Sequence, residues 1–409
     1  MDITINNKIR ITIVSHALVS NVNQTRWKRL AEDDKYEVHL LVPKYWESHW
    51  FGKDEKIVFE PKEIHDDNFH IHPLATTSVK NWGKYLFKSF DAKFREIKPD
   101  LIYIIHEESI LIHHQIYLYK KFFAPNAKVI FFSMNARGAP NRKFYHRLMW
   151  NNVKKNTDAA LVHYPGCLES LRNGGYKKPV YLQTQIGVDE KLFRPDSNAR
   201  AQYRKKLGFE EKFVIGYTGR LTVDKGVDDL IAIFPLDDID WALLLVGNGD
   251  MRQEIEDQVK RYGWEDRVHI TGYVAQAEVP KYMNAMDCFV LGSKTMPHWI
   301  DTFPLVTVQA QACGVPVIAS DSASLLWQLA DSALFFHEGD RRELKEKVLM
   351  YVHNPALKNE YAQRGRERSL RNFCHEGMTE NFKKIVSQVI KGKPVYHQAN
   401  EEYTQWKAF

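Results

Sequence analysis

Along the chain, short apolar runs alternate with stretches whose apolar residues recur every three to four positions. Runs fall at 9–14, 36–42, 101–105, 128–133, 159–163 and 180–183, then at 213–217, 241–246, 268–271, 288–291 and 316–319. Most are apolar throughout rather than alternating, which predicts strands covered on both faces in parallel sheets. Amphipathic helices are expected between them. Val79, Trp82, Leu86, Phe90, Phe94 and Ile97 follow the 3.6-residue period, with Lys80, Lys84, Lys88, Arg95 and Lys98 largely off that stripe. A last helix is predicted over 378–390, where Met378, Phe382, Ile385, Val386 and Val389 share a stripe. The polar segment 391–409 gives no element.

Strand and helix alternating twice over reads as two doubly wound α/β domains. Gly187, Asp189 and Pro195 interrupt both patterns, so the division is placed there: domains at 1–187 and 188–375, then a helix and tail at 376–409 packing back toward the first. Two such domains make a cleft, and ligands bind at the carboxyl ends of parallel strands. Pattern alone fits a dehydrogenase, a periplasmic-type binder or a nucleotide-sugar enzyme equally well.

Composition narrows this. With 409 residues the chain exceeds one ordinary core. No run approaches the roughly 20 apolar residues that cross a bilayer. The start, Met1-Asp2-Ile3-Thr4, shows no secretory signal, so a cytoplasmic location is expected. Cys167, Cys288, Cys313 and Cys374 have neither pairing nor metal-ligand spacing, and no metal site is expected. The net charge of +6 is uneven: residues 78–156 hold 15 basic and 5 acidic side chains. That excess suits an anionic partner, either the inner face of a membrane touched peripherally or a soluble polyanionic acceptor. No nucleic-acid partner is expected.

Three segments carry candidate chemistry. Gly219-Arg220-Leu221-Thr222-Val223-Asp224-Lys225-Gly226 directly follows an apolar run. A glycine at a strand end followed by two cations suits a diphosphate, Arg220 as a fork and Lys225 as a point charge, although an ordinary solvated loop reads the same way. Gly247-Asn248-Gly249 after 241–246 marks a tight strand-to-helix turn and is an incomplete dinucleotide fingerprint. In the segment from Asp301 to Gln309, a polar loop enters a helix whose free N–H groups form an anion site.

In this order and spacing, these segments resemble the retaining glycosyltransferases of family four, which have the GT-B fold: two doubly wound, Rossmann-like domains facing a central cleft. Further matching pieces are Gln185-Ile186-Gly187-Val188-Asp189, Phe193-Arg194-Pro195, Thr271-Gly272-Tyr273-Val274, Val279-Pro280 with Tyr282, and Asp287–Leu291. The likeness is strong over 155–340 and weaker before it. It implies a sugar moved from a UDP- or GDP-sugar to a hydroxyl acceptor, without metal or cofactor. Arg220 and Lys225 would neutralise the diphosphate leaving group. Gly219 and Gly247 line the nucleotide side, and Tyr273 and Val274 hold the base through main-chain contacts. Phe303, Leu305 and Val306 lie at the anion-binding helix start. Asp301 falls where the family has a sugar-gripping glutamate, and Gln309 where a second glutamate holds the ribose. His106, in Ile105-His106-Glu107-Glu108, would face sugar and acceptor.

The sequence departs from that pattern in places. Asp301 is a methylene shorter and Gln309 is neutral, and a lost charged hydrogen bond costs about 1–3 kcal/mol. Pro304 replaces a glycine and its N–H. A glutamate expected near Trp327 is missing, and Ser15-His16-Ala17 lacks paired glycines. These changes keep open a non-catalytic sugar-nucleotide binder supporting a partner subunit and, less strongly, a sugar-nucleotide epimerase. A dinucleotide oxidoreductase is disfavoured by the incomplete glycine fingerprints.

Overall fold

The computed structural model describes residues 8–48, 57–81, 83–108, 110–135, 144–237, 239–297, 300–322 and 324–392. The chain divides into two compact units. One comprises Met1–Ile186 together with Met378–Ala408, and the other is Gly187–Gly377.

The first unit contains β1 (Ile9–Val14), β2 (Tyr36–Pro43), the small antiparallel pair β3 (Trp46–Ser48) and β4 (Ile57–Phe59), β5 (Ile64–Asp66) and β6 (Phe69–Leu74). It continues with β7 (Leu101–Ile104), β8 (Lys128–Ser133), β9 (Ala159–Val162) and β10 (Val180–Leu182). Its main sheet has the order β10-β9-β8-β7-β1-β2-β6-β5, parallel except for β5. The order reverses between β1 and β7, so the loops leaving these two strands open at the topological switch point. The apolar runs are buried as their composition requires: Ile11, Ile13 and Val14 of β1 and all of β7 are covered. The last described helix, His375–Lys391, contributes Phe382, whose ring lies 5.2 Å from Trp27, while Lys383 pairs with Asp33 at 2.9 Å.

The second unit contains β11 (Phe213–Thr218), β12 (Trp241–Val246), β13 (Val268–Ile270), β14 (Cys288–Leu291), β15 (Val317–Ser320) and β16 (Ala333–Phe336). Its all-parallel order is β13-β12-β11-β14-β15-β16, with the switch point between β11 and β14. Asp287 ties the unit together beneath this sheet, accepting from the Val214 N–H at 2.8 Å and pairing with Arg200 at 2.6 Å and with Arg204.

The helix expected from Val79 to Ile97 is a correction. Only Phe90–Ile97 is helical, and of the five stripe-flanking cations only Arg95 lies within it. Upstream, Tyr85 and Phe87 are buried in alternation and Phe87 bridges Thr76, which is extended rather than helical behaviour. The left-handed Ser89 (φ 55°) separates the two conformations. Trp82 of that stripe lies outside the described residues, as does the tail from 393. β3, β4, β5, β6 and β16 were not anticipated. β6 reads Phe-His-Ile-His-Pro-Leu, too polar for a run-based search.

Candidate functional site

In the second unit the loops leaving β11, β12, β13 and β14 stack backbone on backbone. The Gly219 N–H donates to the Val246 carbonyl (2.9 Å), and Gly247 bridges Gly272. A Cβ on Gly247 would stand 1.9 Å from the Gly219 carbonyl oxygen, so only glycine permits this approach. Gly226, at φ 69°, ends the single turn Val223–Lys225, and a Cβ there would meet the Gly292 carbonyl at 2.0 Å. These contacts fix the Gly219–Gly226 loop over the switch point between β11 and β14.

On that floor the structure brings together Lys225 and Asp301, 76 positions apart, in direct contact. The same Asp301 oxygen, Oδ2, accepts from the buried Ser293 hydroxyl at 2.8 Å, and the Asp301 carbonyl accepts from Ser324 at 3.1 Å. Asp301 is buried by this grip. Arg220, by contrast, is exposed, with its guanidinium 3.2 Å from Asp224 and its carbonyl taking the Tyr217 hydroxyl at 2.6 Å. The arrangement therefore offers one exposed cation, one cation and carboxylate in a mostly covered pair, and a seryl hydroxyl that sets the carboxylate's direction. Ser293 was not singled out from the sequence, because its role exists only through Asp301, eight positions on, which in turn meets Lys225. Lys294 next to it clamps Asp228 at 2.7 Å and Asp229 at 2.8 Å, and its N–H donates to the Asp224 carbonyl at 2.9 Å. That ties the β14 exit to the cationic loop.

The helix Leu305–Ala312 begins at Pro304, whose carbonyl accepts from the Thr307 hydroxyl at 2.8 Å. Leu305 and Val306 are partly exposed at its start, where N–H groups lack partners within the helix. Gln309 is buried on this helix. The Phe303 ring lies 5.5 Å from Phe373 and so packs on the unit's own core. Tyr273 is largely exposed and Val274 partly covered on the loop after β13.

His106 belongs to the first unit, at the exit of β7 and beside the β1 exit that carries His16. The rings of His16 and His106 stack with centroids 5.0 Å apart and planes 18° apart, and Trp46 lies 4.9 Å from His16. Tyr85 Oη is 2.6 Å from His106 Nε2, and His113 Nε2 is 3.2 Å from the His106 carbonyl. Burial pushes the His106 pKa well below 6.5, and that of His16 to about 4. Both imidazoles are therefore neutral at pH 7 and serve as hydrogen-bonding groups rather than cations. Glu108, the last residue of the matching segment, accepts from Ser133 (3.1 Å) and Asn135 (3.2 Å).

Residues 199–368 match the family model described as glycosyl transferases group 1. Over 249 residues the chain is 28% identical to mannosylfructose-phosphate synthase of Agrobacterium fabrum, covering 57% of this chain and 54% of that protein. Over 141 residues it is 35% identical to a GDP-mannose-dependent alpha-(1-6)-phosphatidylinositol monomannoside mannosyltransferase of Mycobacterium tuberculosis, covering 33% and 37%. The chain thus matches about half or less of these relatives' length. Sucrose-phosphate synthase from Thermosynechococcus elongatus superimposes with a TM-score of 0.70 at 20% identity, over 94% of this chain and all of the other. Over residues 199–368 the chain is similar to the group 1 glycosyl transferases, and its fold is GT-B.

Proposed function

We propose that this chain moves a sugar from a nucleoside-diphosphate sugar to a hydroxyl acceptor with retention of anomeric configuration. The observation that carries the reading is the Lys225–Asp301–Ser293 constellation beside exposed Arg220 at the β11/β14 switch point. As the bond from the anomeric carbon to phosphate breaks, the diphosphate gains negative charge, and Arg220 and Lys225 stabilise it from fixed positions, in place of a metal ion. The acceptor oxygen bonds to the same face of that carbon, and its proton passes to the departing phosphate oxygen. Asp301 accepts hydrogen bonds from the sugar's hydroxyls once the diphosphate draws Lys225 away. Gln309 offers its amide to the ribose, and the main chain at Tyr273 and Val274 meets the base. His106 presents a neutral imidazole to a hydroxyl. The dependence on GDP-mannose carried in the name of the mycobacterial relative supports a nucleotide-linked donor.

The test is the anomeric configuration of the product, read by proton NMR during transfer from UDP- or GDP-sugars to a panel of hydroxyl acceptors. An α-linked product from an α-linked donor is expected. A β-linked product overturns the retaining assignment.

We further propose that the acceptor side meets an anionic lipid surface. The helices Ile112–Phe123 and Phe144–Asn156 lie side by side, with Asn152 Nδ2 2.6 Å from His114 Nδ1. They expose Leu118, Phe122 (65%), Phe144 (75%) and Leu148 near Lys120, Lys121 and Arg147. No helix among the described residues is long and apolar enough to cross a membrane, so attachment would be peripheral. Each basic side chain near such a surface contributes about 1 kcal/mol. Co-sedimentation is expected with anionic vesicles at low salt, to vanish at high salt, and to weaken when Phe122 and Phe144 become serine. Equal recovery in the supernatant with anionic and neutral vesicles would refute it.

A further inference from the structure

The edge of the first unit's sheet carries a cluster that the reading above does not use. β2 contains Glu37-Val38-His39, β5 and the residue before it contain Glu63-Ile64-His65, and β6 contains His70-Ile71-His72. Each is an i, i+2 pair, which places both polar side chains on one face of a strand. The register aligns His39 with His70 and His65 with His70, so the four imidazoles gather on the same face. The rings of His39 and His70 stack at 4.6 Å, those of His39 and His72 at 5.4 Å, and those of His65 and His72 at 5.5 Å.

Counting protons across this cluster identifies what it lacks. Glu37 Oε1 lies 3.1 Å from His39 Nε2, and His39 Nδ1 lies 3.1 Å from His72 Nε2. His72 Nδ1 lies 3.9 Å from Glu63 Oε1, and that carboxylate is 3.2 Å from His65 Nε2. The line from Glu37 through His39 and His72 to Glu63 thus has three junctions, each needing one shared positive centre. Two neutral imidazoles bring two N–H groups. They fill the two short junctions: His39 Nε2–H donates to Glu37, and His72 Nε2–H donates to His39 Nδ1. The third junction remains, and there His72 Nδ1 is buried without a hydrogen-bond partner, on a side chain only 2% exposed. A bare imidazole nitrogen facing a carboxylate is a ligand pair for a cation. The donor atoms of Glu63, His65 and His72 lie within 4.8 Å of one another. Tetrahedral zinc, with bonds near 2.0–2.2 Å, brings its ligands to about 3.3 Å apart, a small closure from here. Lys93 Nζ lies 3.8 Å from the same Glu63 oxygen but has Glu96 at 3.1 Å as an alternative partner.

We propose that Glu63, His65 and His72 bind one zinc-like divalent cation per chain, independently of the sugar site, leaving a fourth position open to solvent. Two imidazoles with one carboxylate suit zinc and its first-row neighbours rather than magnesium or calcium. The same proton count limits the cluster to one ion. A second, on Glu37, His39 and His70, would leave N–H groups of His39 and His72 facing each other. His39 is then a positioning residue that fixes the His72 tautomer, with Glu37 behind it. The ion would pin the β5–β6 hairpin at the sheet edge.

The test is equilibrium dialysis and calorimetric titration of the full, untagged chain with zinc at pH 7.5, alongside its thermal midpoint. One zinc per chain and a raised midpoint are expected. His65→Ala and Glu63→Ala, at half-exposed positions, should each weaken binding more than tenfold without altering the zinc-free midpoint. His39→Leu should weaken it about 10- to 100-fold, while His39→Gln, whose carbonyl can still accept from His72, restores it. No zinc bound above the level of the His65→Ala, Glu63→Ala double variant would overturn the site. So would two ions per chain, or loss of binding on Glu37→Gln and His70→Asn with His65→Ala silent.

Discussion

Replacing Asp301 by asparagine is expected to lower sugar transfer by at least about a hundredfold while nucleoside-diphosphate binding stays equal or tightens. Asparagine retains the shape and an oxygen that can still accept from Ser293, so the 2.8 Å hydrogen bond that orients the group survives. What disappears is the negative charge. In the ligand-free protein that charge is in contact with Lys225, so it competes with phosphate for the ammonium. Removing it releases Lys225 toward the diphosphate. The sugar, however, loses its charged acceptor, an interaction worth about 1.5–3 kcal/mol where the partner is ionised. Its loss also misplaces the anomeric carbon, and poor placement alone can cost about a hundredfold. Steady-state transfer rates paired with calorimetric nucleotide affinities separate the two effects. Parallel loss of both would show that Asp301 holds the nucleotide or the local fold instead. A wild-type chain that binds nucleotide tightly and transfers no sugar would favour the non-catalytic reading raised by the Asp301 and Gln309 departures.

The strands that flank both switch points were legible because burial on both faces leaves apolar runs that no other element explains. β1, β8, β12 and β14 have the bounds their runs suggest. The sheet edge was not legible. β6 spends alternate positions on histidine and β5 is only three residues long, and a two-residue period over so few residues is a weak signal. The 79–97 stretch misled for the opposite reason. Its aromatics satisfy a helical period and a strand alternation at once, and the left-handed Ser89 breaks the chain between the extended stretch and the helix. In the candidate site, Arg220, Lys225 and Asp301 stood out because each lies in a linear motif at a strand or helix end. Their pairing did not. The Lys225–Asp301 contact joins the exits of β11 and β14 across 76 positions, and nothing local in the chain encodes it. The same holds for His106. Its segment could be read, but the stacking of His16 and the Tyr85 hydroxyl that set its environment come from remote loops.

The cationic loop carries the largest binding effect. Arg220 stands exposed at the end of β11 with Asp224 3.2 Å from its guanidinium, and such an i, i+4 surface pair is worth only about 0.3–0.5 kcal/mol. It can therefore turn to a diphosphate at small cost and form a fork of charge-assisted bonds. Lys225 is fixed by Gly226, whose left-handed backbone and close approach to Gly292 hold the turn in place. Each substitution to alanine should weaken nucleoside-diphosphate binding by about 1.5–3 kcal/mol, or about 10- to 150-fold. Arg220→Ala should leave the thermal midpoint nearly unchanged, whereas Lys225→Ala leaves the buried Asp301 carboxylate without its cation and should also lower stability.

Calorimetric titration of UDP and GDP into the wild-type chain, Arg220→Ala and Lys225→Ala tests the central claim most directly. The expected result is one site per chain for at least one of the nucleotides, with both substitutions weakening it by an order of magnitude or more. Absence of binding to the wild type, or wild-type affinity in both variants, would contradict the assignment of this loop as the diphosphate cradle.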